Sequence, residues 1–534
     1  MKLKLLLSSV LSGVLFFLSW TTFGLGPVLF VAFIPMLFVD DYIFENSDRL
    51  KSINIFYYSY LTFITWNLLA TWWVYNSTVE GGIMAFTLNS LFYSVIFWLV
   101  HIIKRRLGRR VGYFALLIIW LAWEYIYIHG EISWVWLVLG NGFAQNTSIV
   151  QWYEYTGALG GSFWVLLVNI MLYNIIKHIL KYKTLYGQIL NSIILLFIIV
   201  IPISYSLHTY NNYTEKENPI NVGIVQPNIN PYGEKFGGMT NYEQLSLMLH
   251  LADSIIDDNT DYIVGPETAI NDNIWENNIY GSRSIARIDS FVKAHPKTLF
   301  VIGATTRYMY EDGKPSATSR KYNEELRYDL YNTALQISND NIDIYHKSML
   351  VIGVEMFPYP EYLGFLTDMA IELGGTSGSY GTQPERVAFS NDKNNGKVAP
   401  VVCYESIYGE FVTDYIKKGA NVIFVITNDG WWGNTPGYKQ HLSFSKLRAI
   451  ETRRSIVRSA NTGISCFINQ RGDILQPTKY WVKDAIKGTV NLNDKRTFYV
   501  ENGDFIGRIA SFVALLLLLM LVVKSINPDL YTKK

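Results

Sequence analysis

Three reactive side chains stand directly after strand-like segments of this 534-residue sequence: Glu267, Lys347 and Cys403. A carboxylate at a strand end can act as a general base, and a lysine there can hold positive charge against a developing oxyanion. A cysteine at a turn between a strand and a helix lies near outward-pointing backbone N–H groups, which favour a thiolate nucleophile. Taken singly, the three also fit a turn glutamate, a surface lysine and a buried structural cysteine. Their combination is what predicts covalent catalysis.

The chain has only two cysteines, which excludes a disulfide-rich scaffold. Cys466 lies inside a strand-like run and fits a buried structural residue, although a disulfide with Cys403 stays open on the sequence alone. Neither a GxGxxG nor a GxxxxGK(S/T) motif occurs, and no His/Cys cluster has the spacing of metal ligands. We therefore expect no cofactor and no metal. The formal net charge of +1 gives no basic excess for binding a nucleic acid.

Residues 218–495 alternate apolar strand-like runs with amphipathic stretches. The alternation predicts an α/β layered fold with well-buried sheets. The predicted strands are 220–226, 261–265, 298–304, 330–337, 341–346, 397–402, 421–426 and 464–469. The predicted helices are 240–256, 282–294, 406–418 and 438–459.

The first 210 residues carry only 20 of the 89 Lys, Arg, Asp and Glu residues, a shortage that predicts a seven-helix membrane domain over 1–210. A bilayer core of about 30 Å needs about 20 mostly apolar residues in a helix. With one more span near the C-terminus, eight stretches approach that length: 3–20, 24–39, 55–75, 83–103, 111–129, 160–180, 188–207 and 505–523. We interpret the first as a retained helix rather than a cleaved signal peptide.

Basic residues cluster in alternate connections between these stretches, whereas 76–82 and 130–159 contain neither Lys nor Arg. By the positive-inside rule, the N-terminus and the tail to residue 534 face the cytoplasm, and 218–495 lies on the outer side. The connection 130–159 is unusually apolar and rich in tryptophan. It fits either a packed re-entrant segment or a lipid-facing wall of an active site.

The order Glu267, Lys347, Cys403, with gaps of 80 and 56 residues, resembles the Glu-Lys-Cys triad of the nitrilase superfamily. Members of that superfamily have an α-β-β-α sandwich. The segment 427–433 resembles the family's sequence after the strand that follows the nucleophile. Gly353–Glu355 resembles the segment of its second glutamate, with valine in place of the usual aromatic residue.

Together with its membrane helices, the whole chain resembles the apolipoprotein N-acyltransferase family. Cys403–Glu405 is similar to that family's nucleophile segment, and Gln226–Ile229 to its opening strand motif. One departure is that Lys235 is followed by Phe236, where the family often has tryptophan. The implied fold class is a multi-pass α-helical membrane domain plus an α/β nitrilase-like α-β-β-α sandwich. The resemblance also implies a bacterial inner membrane protein with a periplasmic catalytic domain, and we expect a monomer.

The resemblance implies a ping-pong acyl transfer that completes lipoprotein maturation. Glu267 would take the Cys403 proton, and the thiolate would attack an ester carbonyl of a phospholipid. Lys347 and the backbone N–H of Tyr404 would stabilise the oxyanion. The α-amine of the diacylglyceryl-cysteine of an apolipoprotein would then attack the thioester.

Two further glutamates, Glu355 and Glu405, are predicted to orient Lys347 or to hold its charge. Glu405 also fits a carboxylate at a helix N-terminus, where the helix dipole favours it. The segment 357–382 fits either a mobile lid that touches the bilayer or a plain surface excursion. The predicted substrate-binding residues are Phe236, Phe365, Asn428, Trp431 and Trp432.

Two other functions stay open on the sequence alone. A membrane-tethered amidase or nitrilase would use the same triad with water as the second nucleophile, but it would need only one membrane anchor. A transporter with an extracytoplasmic sensory domain would place ionisable residues at membrane depth. Glu124 is the clearest residue of that kind.

Overall fold

The computed structural model describes residues 1–235, 237–359, 379–390 and 393–527. The chain divides into two compact units by its own contacts. The first unit comprises Met1–Tyr75, Val79–Asn212 and the chain from Asn502 onward, and the second comprises Asn76–Thr78 and Tyr213–Glu501.

The first unit is built of helices that follow the apolar runs of the sequence. They are Lys2–Leu18, Leu29–Ala32, Ile34–Glu45, Ile53–Thr71, Val79–Leu107, Arg109–His129, Tyr153–Tyr182, Ile189–Asn212 and Phe505–Ile526. Within the described ranges, six segments are long and apolar enough to cross a membrane: Gly26–Glu45, Val79–Leu107, Arg109–His129, Tyr153–Tyr182, Ile189–Asn212 and Phe505–Ile526. The other two predicted spans are helices of 17 and 19 residues, Lys2–Leu18 and Ile53–Thr71. The total of eight crossings therefore stays a prediction.

The tryptophan-rich connection 130–159 folds into short 3-10 helices within the first unit. Glu124 holds this connection, because its Oε1 accepts hydrogen bonds from Trp120 Nε1 at 3.0 Å and from the Leu139 N–H at 2.9 Å. Trp136 is only 1% exposed. These contacts favour the packed segment over a lipid-facing wall, and they give Glu124 a structural role.

Buried charges join three helices of the first unit. Asp40 pairs with His101 and Lys104, and Asp41 pairs with Lys104 and Lys177. A buried charge is costly unless it is paired and hydrogen-bonded. Two of the basic residues that the positive-inside rule counts, Lys104 and Lys177, are thus bound to buried aspartates, and each aspartate has two basic partners.

The described part of the second unit contains two β-sheets. Its strands are β1 (Pro219–Gln226), β2 (Tyr262–Val264), β3 (Ile270–Trp275), β4 (Leu299–Tyr310), β5 (Arg320–Lys321), β6 (Arg327–Ile337), β7 (Ile342–His346), β8 (Phe389–Ser390), β9 (Lys397–Val402), β10 (Val422–Thr427), β11 (Ile456–Ala460), β12 (Cys466–Ile468), β13 (Ile474–Leu475) and β14 (Asp484–Asn491). One sheet has the order β14-β1-β2-β4-β6-β5, with β3 beside β4 and β7 beside β6. The other has the order β13-β12-β11-β10-β9-β8.

The two sheets pack face to face, and helices cover their outer faces. Between the sheets, the ring of Tyr262 in β2 meets that of Phe424 in β10 edge-on, with ring centroids 5.2 Å apart. Among the described residues, the helices of this unit are Asn241–Asp253 and Arg283–Ala294 against the first sheet, Gly409–Lys417 and Pro436–Thr452 against the second, and the short Phe498–Asn502. This arrangement confirms the predicted α-β-β-α sandwich.

The helix predicted over 438–459 is wrong over its last seven residues, 453–459. It ends at Thr452, and Ile456–Ala460 form β11. Arg453 has a φ of 49°, a left-handed conformation that terminates helices. Every residue of β11 is buried, and a strand without a solvent face has no alternating pattern that would distinguish it from a helix.

The predicted helix 406–418 begins later than expected, at Gly409, because Cys403–Ile407 first forms a 3-10 turn. The sequence pattern also misses strands β3, β5, β8, β13 and β14. Three of these are two residues long, which is too short for any periodicity, and β14 is mostly half-buried.

Candidate active site

Glu267 lies on the turn after β2, where backbone contacts fix its position. The Gly265 N–H donates to the Val301 carbonyl oxygen at 2.8 Å, and the Gly303 N–H donates to the Pro266 carbonyl oxygen at 3.0 Å. A Cβ at Gly303 would stand 2.6 Å from the Glu267 Cα. The close approach therefore requires glycine at position 303, and it leaves Glu267 only 7% exposed.

Lys347 directly follows β7, and its ammonium lies between two carboxylates. Its Nζ is 3.1 Å from Glu267 Oε1 and 3.0 Å from Glu355 Oε1. Burial lowers the pKa of Lys347, but the charges of both glutamates outweigh it and hold that pKa well above its usual value. Burial raises the pKa of Glu267, yet the Lys347 charge and hydrogen bonds from Asn332 and Lys347 keep it below the usual value. Glu267 and Lys347 are therefore both ionised at neutral pH.

Asn332 of β6 joins the two glutamates, although no motif identified it. Its Nδ2 donates to Glu267 Oε1 at 2.8 Å and to Glu355 Oε1 at 2.7 Å. Its backbone carbonyl oxygen accepts from the Lys347 N–H at 2.8 Å. The strand also contains the polar residues Arg327, Asp329, Thr333 and Gln336. An asparagine in it therefore carries no distinguishing signal in the sequence. The structure identifies Asn332 because its buried amide needs polar partners.

Glu355 stands on a tight turn shortly after Lys347. Gly353 in this turn has a φ of 80°, which glycine adopts without strain. Glu355 Oε2 accepts a hydrogen bond from the Val351 N–H at 2.8 Å, so the same carboxylate closes the turn and contacts the lysine. The structure thus brings Glu355 to Lys347, while a supporting role in catalysis stays a prediction.

Cys403 starts the turn after β9 and has a φ of 48°. Its carbonyl oxygen accepts hydrogen bonds from Ser406 Oγ at 2.7 Å and from His441 Nε2 at 3.2 Å. The next residue, Tyr404, is buried against Tyr408, with ring centroids 5.4 Å apart. Both cysteines of the chain are free, so the disulfide that the sequence left open does not form.

The Cys403 thiol is protonated in the resting site. Burial and the charge of Glu267 raise the pKa of this thiol, and the positive charge of Lys347 opposes them only in part. A base must therefore remove the thiol proton before the sulfur can attack. Glu267, which is ionised and acts electrostatically on the thiol, fits that role.

Glu405 is fully buried and connects the two segments that carry the lysine and the cysteine. Its Oε1 accepts from Tyr345 OH at 2.8 Å and from the Ser348 N–H at 2.7 Å, on either side of Lys347. Its Oε2 accepts from the Val402 N–H at 2.8 Å. The first two contacts hold the segment that carries Lys347, and the third caps the turn after β9. These contacts are compatible both with a role in orienting Lys347 and with a carboxylate at the start of a helical turn.

Lys235 is a second buried lysine at the site. The family resemblance included it only as the residue before Phe236 and gave it no role. Its Nζ donates to Thr268 Oγ1, and it lines one pocket with Glu267, Pro266 and Asn461. Burial lowers the pKa of Lys235 to about 8, against the charges of Glu267 and Cys403. Lys235 therefore changes its charge close to physiological pH.

Of the predicted substrate-binding residues, Trp431 and Trp432 lie on the 3-10 helix Asp429–Trp432. The ring of Tyr232 packs edge-on against Trp431, with centroids 5.4 Å apart. Substrate contacts of these two tryptophans stay predictions.

Asn428, the third predicted substrate contact, is only 2% exposed. Its Oδ1 accepts hydrogen bonds from Asn461 Nδ2 at 3.2 Å and from Thr462 Oγ1 at 3.1 Å. In the structure it shapes the turn after β10, and a substrate contact stays a prediction. Phe236, Phe365 and residues 360–378 of the predicted lid over 357–382 lie outside the described residues, so the lid stays a prediction.

Two family models match separate segments of the chain. Residues 12–171 match the apolipoprotein N-acyltransferase N-terminal domain, and residues 221–498 match carbon-nitrogen hydrolase. The apolipoprotein N-acyltransferase of Chlorobaculum tepidum is 30% identical over 97% of this chain and 96% of that protein. The protein of the same name from Geobacter metallireducens is 27% identical over 93% of this chain and 91% of its own length.

Proposed function

Because the chain belongs to the apolipoprotein N-acyltransferase family, we propose that Cys403 takes a fatty acyl chain from a phospholipid as a thioester and passes it to the N-terminal amine of an apolipoprotein. N-acyl transfer in lipoprotein maturation is the function of the family. The observation that carries the residue assignment is the ionised pair Glu267 and Lys347, 3.1 Å apart, which acts electrostatically on the thiol of the partly buried Cys403.

In the first half-reaction, Glu267 accepts the thiol proton while the Cys403 sulfur attacks the ester carbonyl carbon of the phospholipid. A tetrahedral intermediate forms and then collapses as the ester C–O bond breaks. The proton on Glu267 passes to the departing oxygen, so a lysophospholipid leaves and the acyl chain remains on the sulfur. The ionised resting state of Glu267 supports this direction of proton transfer.

Lys347 is the proposed stabiliser of the negative oxygen in that intermediate. The charges of Glu267 and Glu355 keep its ammonium protonated, so positive charge is in place before the intermediate forms. A preformed charge in a buried site avoids reorganisation at the moment of reaction. The backbone N–H of Tyr404 is the proposed second donor.

In the second half-reaction, the α-amine of a diacylglyceryl-cysteine attacks the thioester carbonyl carbon. Glu267 accepts a proton from the amine, the C–S bond breaks, and the proton returns to the Cys403 sulfur. An amidase would use water in place of the amine. The match of residues 12–171 to the N-acyltransferase N-terminal domain supports the amine.

The family and the six apolar helices identify an inner membrane protein that acts on lipid and lipoprotein substrates. We further propose that both termini are cytoplasmic and that the second unit is periplasmic, because the basic residues lie in alternate connections. A monomer suffices for this chemistry, since Glu267, Lys347 and Cys403 come from one chain.

Intact-protein mass spectrometry of the full-length protein, after mixing with phospholipid in detergent micelles, tests the proposal. We expect a mass increase of one fatty acyl chain that peptide mapping places on Cys403. The adduct should be absent in Cys403→Ser and retained in Cys466→Ala, which removes the other, fully buried cysteine. A diacylglyceryl-cysteine peptide should discharge the adduct and carry the acyl chain on its terminal nitrogen.

Two results would overturn the assignment. An adduct that persists in Cys403→Ser would place the acyl chain on another residue. An adduct that water discharges as fast as the peptide does would identify a hydrolase.

A further inference from the structure

A hydroxyl group connects the Cys403 thiol to a buried ionic cluster behind it. Thr427, the last residue of β10, follows Ile426, which pairs with Val402 directly before Cys403 in the parallel register. Thr427 thus lies beside Cys403, and a hydrogen bond from its side chain lowers the pKa of the thiol. Its Oγ1 also donates to Asp429 Oδ1 at 2.9 Å. Thr427 and Asp429 are both fully buried, so these hydrogen bonds form away from bulk solvent.

Asp429 is held by two further side chains. His441 Nδ1 lies 2.9 Å from Asp429 Oδ1, and Arg458 Nη2 donates to Asp429 Oδ2 at 2.7 Å. Burial raises the pKa of Asp429, but the charges of Arg458 and His441 outweigh it and lower the value to about 2. The Asp429 carboxylate is therefore ionised. Without the hydrogen bond from Thr427, it would still be in contact with His441 and Arg458.

The same cluster holds the backbone of the nucleophile. His441 Nε2 lies 3.2 Å from the Cys403 carbonyl oxygen and 3.1 Å from Ser406 Oγ. The left-handed conformation of Cys403 costs about 1–3 kcal/mol in a residue other than glycine and persists only where its surroundings hold it. His441 thus holds the main chain of Cys403, while Thr427 contacts its sulfur.

We propose that Thr427 stabilises the Cys403 thiolate: as the thiol proton passes to Glu267, the Thr427 O–H turns from Asp429 to the sulfur. A threonine hydroxyl has a single hydrogen to donate, so donation to the sulfur releases Asp429. Arg458 and His441 hold the aspartate charge during that exchange and are positioning residues. The only proton that changes its atom is that of the thiol. The inference rests on the proposed nucleophilic role of Cys403.

The test is the rate at which iodoacetamide alkylates Cys403 in the full-length protein at one fixed pH, located by peptide mapping. Alkylation reports the thiolate and needs no lipid. Thr427→Val keeps the shape of the side chain but lacks the hydroxyl, and we expect a rate about tenfold lower, because a hydrogen bond to a charged group is lost. Thr427→Ser keeps the hydroxyl, and its alkylation rate should stay within about threefold of the rate for the unmodified protein.

Thr413→Val is the matched control, because it removes another fully buried hydroxyl, one that donates to the Glu410 carbonyl oxygen at 2.6 Å. It should leave the alkylation rate unchanged. Equal rates for Thr427→Val and the unmodified protein would overturn the inference. Equal losses in Thr427→Val and Thr427→Ser would also overturn it, since packing rather than the hydroxyl would then matter. A failure of the proposed function is distinguishable, because it removes the acyl adduct from the unmodified protein without affecting this series.

Discussion

Lys347 Nζ lies 3.1 Å from Glu267 Oε1, although 80 residues separate the two along the chain. The residues follow strands β7 and β2 of one sheet, and β6 and β4 lie between those strands. The contact keeps both groups ionised in a buried site. The proposed base and the proposed oxyanion partner therefore have the charges they need before substrate arrives.

Glu267→Gln should reduce acyl-enzyme formation by about 10² to 10⁴, the usual contribution of general base catalysis. The amide has the size of the carboxylate but cannot accept the thiol proton. The measurement is the rate at which the acyl adduct appears on Cys403. Glu243→Gln, at an exposed helix start, is the control and should match the unmodified protein. A rapid adduct in Glu267→Gln would assign the base to another group.

Asn332→Asp should move the acid limb of acyl-enzyme formation to higher pH. Asn332 donates to Glu267 and helps to lower the pKa of that carboxyl. An aspartate would remove the donor and add a like charge, and both changes raise the pKa of Glu267. Glu267 must be ionised to act as a base. When the pH is lowered, the variant should therefore lose activity at a higher pH than the unmodified protein does.

The control for this substitution is Asn323→Asp, in an exposed turn where Oδ1 accepts from the Leu326 N–H at 2.7 Å. An aspartate keeps that acceptor, so the acid limb should not move. An acid limb that coincides for Asn332→Asp and Asn323→Asp would contradict a link between Asn332 and the ionisation of Glu267.

Acyl-enzyme formation should decrease as the pH rises through about 8, where Lys235 loses its proton. The sign follows from its neighbours: the charged lysine stabilises the anionic forms of Glu267 and Cys403, and the neutral lysine does not. Lys235→Met should lower the rate about tenfold below that pH and remove the basic limb, since one nearby positive charge is lost. The measurement is the pH profile of adduct formation.

Lys446→Met is a matched control for Lys235→Met, because burial also lowers the pKa of Lys446 to about 8. Lys446 lies on the helix Pro436–Thr452, and its charge interacts with Asp473 rather than with the proposed triad. We expect the basic limb to persist in this variant. Loss of the limb in Lys446→Met, or its survival in Lys235→Met, would refute the assignment to Lys235.

Glu405→Gln should destabilise the protein by about 1–3 kcal/mol, because an amide nitrogen would face a buried donor. It should also slow acyl-enzyme formation, since Glu405 holds the segment on either side of Lys347. Chemical denaturation measures the first effect and adduct formation the second. Glu385→Gln, which breaks an exposed ion pair with Lys418, should cost less than about 1 kcal/mol. Equal stability of the two variants would show that the buried contacts of Glu405 contribute little.

Local sequence was enough to locate the three proposed catalytic residues. Glu267, Lys347 and Cys403 each follow a short apolar run, and the structure has strands β2, β7 and β9 at those places. A buried strand and the polar residue that ends it are signals only a few residues long. They can be read without knowing which strands are neighbours.

The tertiary structure alone decided which other side chains join them. Lys235, Asn332, Thr427 and His441 come from four separate segments, and their types are common in proteins. Lys235 and Thr427 lie in segments that resemble the family, but nothing in those segments assigns either side chain to the site. The order of strands within each sheet and the packing between the sheets bring these side chains together and bury them away from water. A buried polar group must then find a partner, and the fold determines that partner, whereas the local sequence does not.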